Sequence, residues 1–488
     1  MGLLTAAPQS GKPGASPPAG NSVPPLAWKP AAGAALALSL AGLGLVVFIA
    51  RSSRVPPGTL QERQPGMDRT APAGTDAGPN PVMLGRLIPG PGTPASLPGA
   101  WPRFRGIHGD GLATDAVARA WSPGGPAKLW SVDLGEGYAG AAVLNGRVYV
   151  LDYDQPHQAD ALRCLSLADG REIWRFSYPV KTKRNHGMSR TVPAVTEKYV
   201  VALGPKCHVV CLDAVTGSRR WGLDLVKEYN AEVPPWYAGQ CPLIDGDRVI
   251  LATGGDALLI AVDLATGQVL WKTPNPHDWK MTHSSVAPME FAGQRLFVYC
   301  GSGGVAGVAA DDGRLLWETD AWIISMATVP SPVPTGDGRI FLAGGYNAGS
   351  LMLQLKQEKN GITVAPLFRL KPAEFGATQQ TPILYQGHLY GVRPDGQLTC
   401  LDLNGKVLWA SGSAAKFGLG PFLLAQGLLF VMNDEGLLTL AEVNPAGYRV
   451  LTRARVLNGH DSWAPLALAG GRLLARDLTQ MVCLDVKP

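Results

Sequence analysis

The sequence of 488 residues is poor in charged residues and has no dense cluster of either sign. Asp, Glu, Lys and Arg together make up 17% of it, and the formal net charge is +5. Without a patch of Lys and Arg that could follow phosphates, no nucleic-acid partner is expected. Runs of Glu and Lys typical of long helices are also scarce, whereas the sequence is rich in glycine and proline, with 60 Gly and 41 Pro. This balance favours an all-β fold of short strands and frequent turns.

The sequence also lacks the motifs of the common active sites. It contains no HExxH, no GxSxG, no Walker loop, no CxxCH haem site and no His or Cys cluster at zinc spacing. Two glycine-rich stretches, GGDALLIAVD and GSGGVAGVAAD, precede predicted strands rather than helices, so they are explained as hairpin turns and not as phosphate cradles. We therefore predict no catalytic, cofactor-binding or metal-binding residues, and no cofactor.

Cysteine is present at an odd number of positions, so complete disulfide pairing is impossible. The seven residues are Cys164, Cys207, Cys211, Cys241, Cys300, Cys400 and Cys483. Four of them, at 164, 211, 400 and 483, occupy one position of an internal repeat, where the equivalent residue near 261 is Ala. A slot filled by Cys or Ala requires a small apolar side chain, which predicts buried thiols without a redox role.

The N-terminal 100 residues do not resemble the rest of the chain. Residues 31–50 form an uncharged apolar run of 20 residues between Lys29 and Arg51, long enough to cross a bilayer as a helix. A cleavable signal peptide or a buried core helix are the alternatives, but signal peptides usually begin their apolar run much nearer the N-terminus. We predict an uncleaved single-pass anchor. The flanking charges are balanced, so they do not fix its orientation.

Low-complexity segments flank the predicted anchor on both sides. Residues 1–30 contain seven Pro, and residues 51–100 contain ten Pro and eight Gly. Segments of this composition bury too little apolar surface to offset the entropy lost on ordering. We predict a disordered N-terminus over 1–30, a flexible linker over 51–100 and a short lead-in segment over 101–127.

Residues 128–488 consist of an internal repeat. RCLSLADGREIW, VCLDAVTGSRRW, IAVDLATGQVLW, GVAADDGRLLW and TCLDLNGKVLW each place Gly four residues before Trp, as expected for two strands joined by a tight turn. From Trp130 to the aromatic or apolar residue in each repeat, ending at Leu451, the steps are 44, 47, 50, 46, 51, 41 and 42 residues. Spacing of this kind, with four strands in a unit, indicates the blades of a β-propeller.

The ends of the repeat region predict how the propeller closes. A Pro opens the first strand of each unit, and the unit that opens at Pro465 has room for only three strands before the chain ends. The unmatched segment 128–134, with Trp130 in the fourth-strand position, can complete that unit. Sharing one blade between the chain ends removes exposed sheet edges. The sequence therefore predicts eight blades, one of them shared.

The AVDLATGQVLW stretch is similar to the docking motif of PQQ (pyrroloquinoline quinone) repeat propellers. That family includes quinoprotein alcohol dehydrogenases and the propeller lipoprotein of the outer-membrane β-barrel assembly machine. WPRFRGIHGDGLA, at 101–113, also resembles the opening of anchored or exported bacterial PQQ-like proteins. The resemblance implies that the tryptophans dock each blade on its neighbour, a structural role that we assign to Trp130, Trp174, Trp221, Trp271, Trp317 and Trp409.

The resemblance also raises a PQQ-dependent oxidoreductase with calcium as an alternative function. Such enzymes hold a divalent cation with carboxylate and amide oxygens, and many carry adjacent cysteines beside the quinone. This sequence has no adjacent Cys pair, and no matching set of Glu, Asn and Asp is evident at the blade starts. The assembly lipoprotein is itself lipidated on an N-terminal Cys, whereas no Cys precedes residue 164 here. A non-catalytic scaffold is therefore the favoured interpretation.

The loops that join one blade to the next should all emerge on one face. They are rich in aromatic, His, Arg and Gln residues, the composition of a recognition surface. The candidate residues are His186, Arg190, Trp236, Tyr237, Gln240, His283, Trp322, Gln379, Gln380, His460, Asp461 and Trp463. The alternative is that they only fill the central funnel. We predict an envelope protein or peptide as the partner, with a small-molecule or glycan sensor as a further alternative, and place the propeller on the extracytoplasmic side of the membrane.

Overall fold

The computed structural model describes residues 78–184 and 186–488, which belong to one compact unit. The predicted disordered segment 1–30, the predicted anchor 31–50 and the first part of the predicted linker 51–100 lie outside the described residues. In the described part of the chain, no helix is long and apolar enough to cross a membrane.

Three strands precede the first blade, and each joins a sheet formed by later residues. They are β1 (Arg86–Pro89), β2 (Leu112–Ala113) and β3 (Ala127–Asp133). A short 3-10 turn lies at Pro81–Leu84, and the one α-helix of the described residues, α1, is Leu225–Tyr229.

The described residues form eight sheets, each with a core of four antiparallel strands. In blades 1 to 4, with the innermost strand first, these are β4 (Ala141–Leu144), β5 (Arg147–Asp154), β6 (Ala159–Ser166) and β7 (Glu172–Pro179); β8 (Ala194–Val195), β9 (Tyr199–Leu203), β10 (His208–Asp213) and β11 (Arg219–Asp224); β12 (Leu243–Asp245), β13 (Arg248–Ala252), β14 (Leu259–Asp263) and β15 (Val269–Lys272); β16 (Ala287–Phe291), β17 (Gln294–Gly301), β18 (Gly304–Ala309) and β19 (Leu315–Thr319).

Blades 5 to 8 follow the same plan. Their strands are β20 (Val333–Pro334), β21 (Arg339–Gly344), β22 (Gly349–Glu358) and β23 (Gly361–Leu370); β24 (Ile383–Tyr385), β25 (His388–Val392), β26 (Leu398–Asp402) and β27 (Val407–Ala410); β28 (Phe422–Ala425), β29 (Leu428–Met432), β30 (Leu437–Glu442) and β31 (Arg449–Arg455); β32 (Ala467–Ala469), β33 (Arg472–Arg476) and β34 (Gln480–Asp485), completed by β3. The predicted eight-bladed propeller is confirmed.

The shared blade is confirmed as well. β3 pairs antiparallel with β34, with Ser131 opposite Val482 and Asp133 opposite Gln480. The last blade therefore takes its outer strand from the N-terminal side of the repeats and its inner three strands from the C-terminus. Because the backbone hydrogen bonds of β34 are satisfied on both sides, neither end of the ring is left as an open edge.

Five repeat tryptophans contact the next blade along the chain: Trp130, Trp174, Trp221, Trp271 and Trp409. The indole Nε1 of Trp130 donates to the carbonyl oxygen of Leu167 at 3.0 Å, and that of Trp221 donates to the carbonyl oxygen of Leu264 at 2.9 Å. The repeat glycine of the next blade lies against the ring, since a Cβ added to Gly170 would come within 2.7 Å of Trp130. This glycine has φ of +72°, so the turn requires glycine both for its backbone conformation and for the close approach of the ring.

The residue opposite each indole in its own blade is small. Cys164 lies opposite Trp174, and Cys211 lies opposite Trp221, whereas Ala261 and Gly307 occupy the same place in blades 3 and 4. All seven cysteines are free and buried. Burial raises the pKa of the Cys207 and Cys241 thiols, to about 12 and about 11, which keeps them protonated at neutral pH. The position opposite the indole is thus filled by Cys or a smaller residue, as the sequence predicts.

The described end of the predicted linker, residues 78–100, differs from the expected tether. β1 pairs antiparallel with β7, so it adds a fifth strand to the outer edge of blade 1. Val82 in the preceding 3-10 turn is fully buried, and the Gly92 N–H donates to the carbonyl oxygen of Glu172 at 2.8 Å. A short apolar run, VMLGRLI, lies within the Pro-rich stretch, a signal that the average composition of the segment conceals. Val82 packs on the blade and β1 pairs through its backbone, whereas the side chains of Met83, Leu84, Leu87 and Ile88 stay exposed.

The docking contact that closes the ring should contribute more stability than a less buried one elsewhere. Trp130 is 7% exposed and joins blade 8 to blade 1, whereas Trp409 is only half-buried. Trp130→Ala should lower the free energy of unfolding by about 3–5 kcal/mol, and Trp409→Ala should lower it by less. Leu270→Ala, at an exposed position, is the control and should change it by less than about 0.5 kcal/mol. The measurement is denaturant unfolding, and an equal loss for Trp130→Ala and Leu270→Ala would contradict the docking role.

Candidate functional site: a closed cup at the centre of the ring

The lead-in residues 101–113, here called the floor segment, cross the centre of the propeller. Trp101 and Val143 exchange two backbone hydrogen bonds of 2.8 Å with each other at blade 1. The carbonyl oxygen of Pro102 accepts from the Val195 N–H in blade 2, at 2.8 Å. Arg103 Nη1 donates to the carbonyl oxygen of Ile244 in blade 3, at 3.1 Å. The first residues of the floor segment are thus fixed to three successive inner strands.

The rest of the floor segment reaches the other side of the ring. Arg105 Nη1 donates to the carbonyl oxygen of Thr381 at 2.6 Å, and its Nη2 donates to that of Pro382 at 2.9 Å, both at the start of blade 6. β2 then pairs in parallel with β28 of blade 7. The floor segment therefore spans from blades 1–3 to blades 6 and 7 and lies across the centre of the ring.

The floor segment separates two cavities. On one side is a cavity of about 340 Å³ that we call the cup, and on the other is one of about 290 Å³. Phe104 and Arg105 line both. The cup is also lined by residues of the interblade loops, so its mouth is at the end of the propeller where those loops emerge.

The structure brings seven of the twelve predicted recognition residues together in the wall of the cup. They are His186, Arg190, Trp236, His283, Gln379, Gln380 and Trp463. These residues come from five interblade loops that are far apart in the sequence but meet around one opening. Their role in recognition stays a prediction.

The other five predicted residues do not line the cup. Gln240 is fully buried and hydrogen-bonds both the N–H and the carbonyl oxygen of Ala252. Trp322 is buried in the apolar cluster between blades 4 and 5, and the Tyr237 hydroxyl donates to the carbonyl oxygen of Lys183 at 2.6 Å. His460 is exposed beside Asp461, whose Oδ2 accepts from the Tyr138 hydroxyl at 3.1 Å. For Gln240 and Trp322 the structure favours the packing alternative.

Sequence reasoning missed much of the cup. Trp101, Phe104 and Arg105 in the floor, together with Tyr138 and Tyr346 in the wall, line it but were not among the candidates. Tyr346 lies in a hairpin within blade 5 rather than between blades, where the search was not directed. The φ angle of +53° at Tyr346 would have been invisible in the sequence.

The charged residues that line the cup are of one sign. Of the described residues, Arg105 and Arg190 are both in the lining, and no Asp or Glu is. Burial lowers the pKa of each guanidinium to about 10, so both remain protonated at neutral pH. The Arg190 guanidinium lies 5.0 Å from the centre of the Tyr138 ring, a cation–π distance.

His283 is the buried titratable group of the cup wall. Its ring centre lies 6.4 Å from that of Trp236. Burial, and then repulsion from the Arg190 guanidinium, lowers the pKa of His283 to about 4. The imidazole is therefore neutral at physiological pH and adds no charge to the two arginines.

The chain is similar to proteins of a known family. The family described as "Outer membrane protein assembly factor BamB" matches residues 158–411, more than half of the chain. The chain belongs to this family. An outer membrane protein assembly factor BamB of Moranella endobia (strain PCIT) is 21% identical over 376 residues, which cover 73% of this chain and 75% of that protein.

Solved structures agree with the BamB-family fold. The crystal structure of BamB from Moraxella catarrhalis matches with a TM-score of 0.50 at 15% identity, over 74% of this chain and 99% of that one. A europium-containing methanol dehydrogenase matches with a TM-score of 0.45 at 12% identity, over 79% of this chain and 89% of that one. At such identities the likeness extends to the fold alone.

The cup of this BamB-family chain does not fit the calcium–quinone centre of the quinoprotein dehydrogenases. Calcium is held by six to eight oxygen ligands, in which carboxylates are prominent, and the cup lining contains no carboxylate. Among residues 78–184 and 186–488, no group of three or more His, Cys, Asp or Glu side chains is placed to hold a metal ion. The expectation that the protein uses no cofactor stays a prediction.

The low pKa of His283 predicts how acid affects this BamB-family propeller. A histidine whose pKa is lower in the folded than in the unfolded state contributes stability above its ordinary pKa of about 6.5, and that contribution is lost as the pH falls towards the folded value. With a folded pKa of about 4, the loss between pH 7.5 and pH 5 is about 2 kcal/mol. His283→Gln should remove this part of the pH dependence.

Denaturant unfolding at pH 7.5 and at pH 5 measures this pH dependence of the free energy of unfolding. His460→Gln, at an exposed position, is the matched control and should keep the pH dependence of the unaltered protein. An identical pH dependence for His283→Gln and the unaltered protein would show that the imidazole is not held in the neutral form.

Proposed function

We propose that the protein is a non-catalytic scaffold that presents the mouth of its cup to a protein partner in the bacterial cell envelope, in the assembly of outer-membrane proteins. The observation that supports this most is the convergence of seven loop residues and the floor segment around one opening. The BamB relatives are outer membrane protein assembly factors, which supports the biological setting.

A scaffold does not need the groups that a catalyst needs, and the cup wall is suited to contact rather than to chemistry. Its largest side chains are aromatic, including Trp236 and Trp463 at the mouth. The Trp463 indole Nε1 donates to Asp434 Oδ1 at 2.7 Å, and its ring lies 5.1 Å from that of Tyr138. Rings fixed in this way lose little side-chain entropy when a partner packs on them, as in the energetic centres of protein interfaces.

Site-specific photo-crosslinking in living cells tests the scaffold role. A photoreactive residue at Tyr346, at the cup mouth, should form a crosslink to an envelope protein that mass spectrometry identifies as a component of outer-membrane protein assembly. The same residue at Leu270, exposed on the outer strand β15, is the positional control and should not give that product.

Loss of the crosslink on substitution shows that the mouth itself makes the contact. Combining the Tyr346 probe with Trp236→Ala and Trp463→Ala should reduce the product at least tenfold, whereas Trp409→Ala on an outer strand should not. An undiminished product in the double variant would mean that the partner binds elsewhere. A Tyr346 probe that crosslinks to no envelope protein would overturn the proposed function.

We further propose that residues 31–50 hold the protein in the membrane as an uncleaved helix, with the propeller on the extracytoplasmic side. The support is the run of 20 uncharged apolar residues between Lys29 and Arg51, which matches the thickness of a bilayer.

The anchor predicts a specific fractionation. A tag is placed ahead of residue 1. The full chain should keep this tag and stay in the membrane pellet after alkaline carbonate extraction. Deletion of 31–50 should release the protein into the supernatant. As the control, deletion of 13–28, which leaves the apolar run intact, should not release the protein. Loss of the N-terminal tag from the mature protein would instead show a cleaved signal peptide.

A further inference from the structure

The cup has a lip of exposed apolar side chains on one side only. Ile323 is 56% exposed and Met326 is 53% exposed, and both lie in the loop between blades 4 and 5. Ala327 and Val329, next along the same loop, line the cup. Tyr346, in blade 5, lines the cup and is itself 43% exposed. Apolar surface therefore continues from the inside of the cup onto the outer face, and such continuous patches mark binding sites.

The interior of the cup is positive as well as apolar. Arg105 is held in place by four hydrogen bonds, to the carbonyl oxygens of Gly109, Asp110, Thr381 and Pro382. Carbonyl oxygens satisfy its N–H groups, and the carboxylate of Asp110, which lines the second cavity, attracts its charge. Arg190 adds a second guanidinium, and among the described residues the lining of the cup holds no carboxylate. An anionic group that enters the cup would be attracted by both arginines where little water screens them.

Two carboxylates that hydrogen-bond residues of the wall do not themselves line the cup. Asp461 accepts the hydroxyl of Tyr138, and Asp434 accepts the indole N–H of Trp463 and the backbone N–H of Leu419. Their hydrogen bonds fix the aromatic wall from outside the cavity. Among the described residues, the charged side chains that face the inside of the cup are therefore arginines.

The size of the cup and the position of the lip indicate the kind of ligand. A volume of about 340 Å³ is near the lower end of the range for ligand pockets and admits a few side chains but not a folded element. A compact molecule that only filled the cup would leave Ile323 and Met326 uncovered. A chain that leaves the cup across blades 4 and 5 would cover both.

We propose that the cup and its lip bind an extended peptide segment of the envelope partner in which an acidic side chain is flanked by bulky apolar ones. The carboxylate enters the cup towards Arg105 and Arg190, and the apolar neighbours pack on the mouth aromatics and on the lip. This proposal rests on the proposed scaffold function and specifies the chemistry that the same site recognises.

Fluorescence anisotropy with the full-length protein in mild detergent tests this chemistry. The probe is the fluorescein-labelled peptide Gly-Ser-Leu-Trp-Glu-Leu-Ser-Gly with a C-terminal amide. It should bind at least tenfold more tightly than its Glu→Gln analogue, and the Glu→Lys analogue should show no saturable binding. A fourth peptide that keeps Glu but has Ser in place of Leu and Trp should also bind at least tenfold more weakly. Equal affinities across the four peptides would overturn the proposal.

Two substitutions in the cup and one outside it complete the test. Arg190→Gln should weaken binding of the Glu peptide at least tenfold. Gln379→Glu, a near-isosteric change in the same wall, should weaken it at least fivefold and improve binding of the Lys peptide. Arg171→Gln, at an exposed turn on blade 1, should change nothing. Melting curves show whether each variant is folded. If Arg190→Gln is unstable, binding of the Glu peptide by Gln379→Glu tests whether the charge of the cup matters. Unchanged binding by a folded Gln379→Glu would refute the charge argument.

The outcomes separate this proposal from the scaffold function. If the mouth crosslinks to an envelope partner but the peptides are not discriminated by charge, the scaffold function stands and the acidic–apolar specificity is wrong. If neither occurs, both fail. If phosphatidylglycerol vesicles displace the Glu peptide as effectively as unlabelled peptide does, the site binds an anionic lipid surface and the peptide proposal is rejected.

Discussion

The contact of an indole ring with a glycine turn is the interaction on which the rest of this structure depends. Each blade alone is a four-stranded sheet with two apolar faces, and it becomes stable only when a neighbour covers them. The ring of Trp221 does this by packing on Gly267 and donating to the carbonyl oxygen of Leu264. The contact needs glycine in the turn and a small residue opposite the indole, and in four repeats a carbonyl oxygen also accepts from the indole N–H. The Nε1 atoms of Trp271 and Trp317 have no such partner in the described part of the chain. Phe368 packs on Gly405 in place of an indole. Packing of a ring on the turn of the next blade is therefore the recurring element.

Closing the ring has a consequence at its centre. The N-terminal side of the repeats must reach the last blade in order to supply β3, and on the way it crosses the inner strands as the floor segment. The crossing leaves backbone carbonyl groups at the start of blade 6 in need of donors, and Arg105 satisfies two of them. A buried guanidinium is costly without a counter-charge, but one surrounded by carbonyl oxygens is tolerated because its N–H groups are paired. The same residue that fixes the floor also leaves the cup positively charged.

The lining of the cup indicates the function of this protein more specifically than its propeller fold does. Membership of the BamB family and the match to a BamB crystal structure agree with the propeller, but a fold does not by itself specify a function. The described part of the cup lining consists of aromatic rings, two arginines and uncharged residues, without a carboxylate. That lining offers a surface for an apolar, acidic segment and holds none of the carboxylates that usually bind a hard cation.

The sequence by itself determined the ring, because each blade is specified by local contacts that recur every 41 to 51 residues. Gly, Trp and the small residue opposite it lie within one hairpin, and the missing fourth strand after Pro465 fixed how the ends join. Only the tertiary structure decided the cup. Trp101 and Arg105 belong to a lead-in without periodicity, and their contacts with Val143 and Thr381 span 42 and 276 residues. Nothing local encodes such contacts, because they exist only when the closed ring holds its inner strands around one axis.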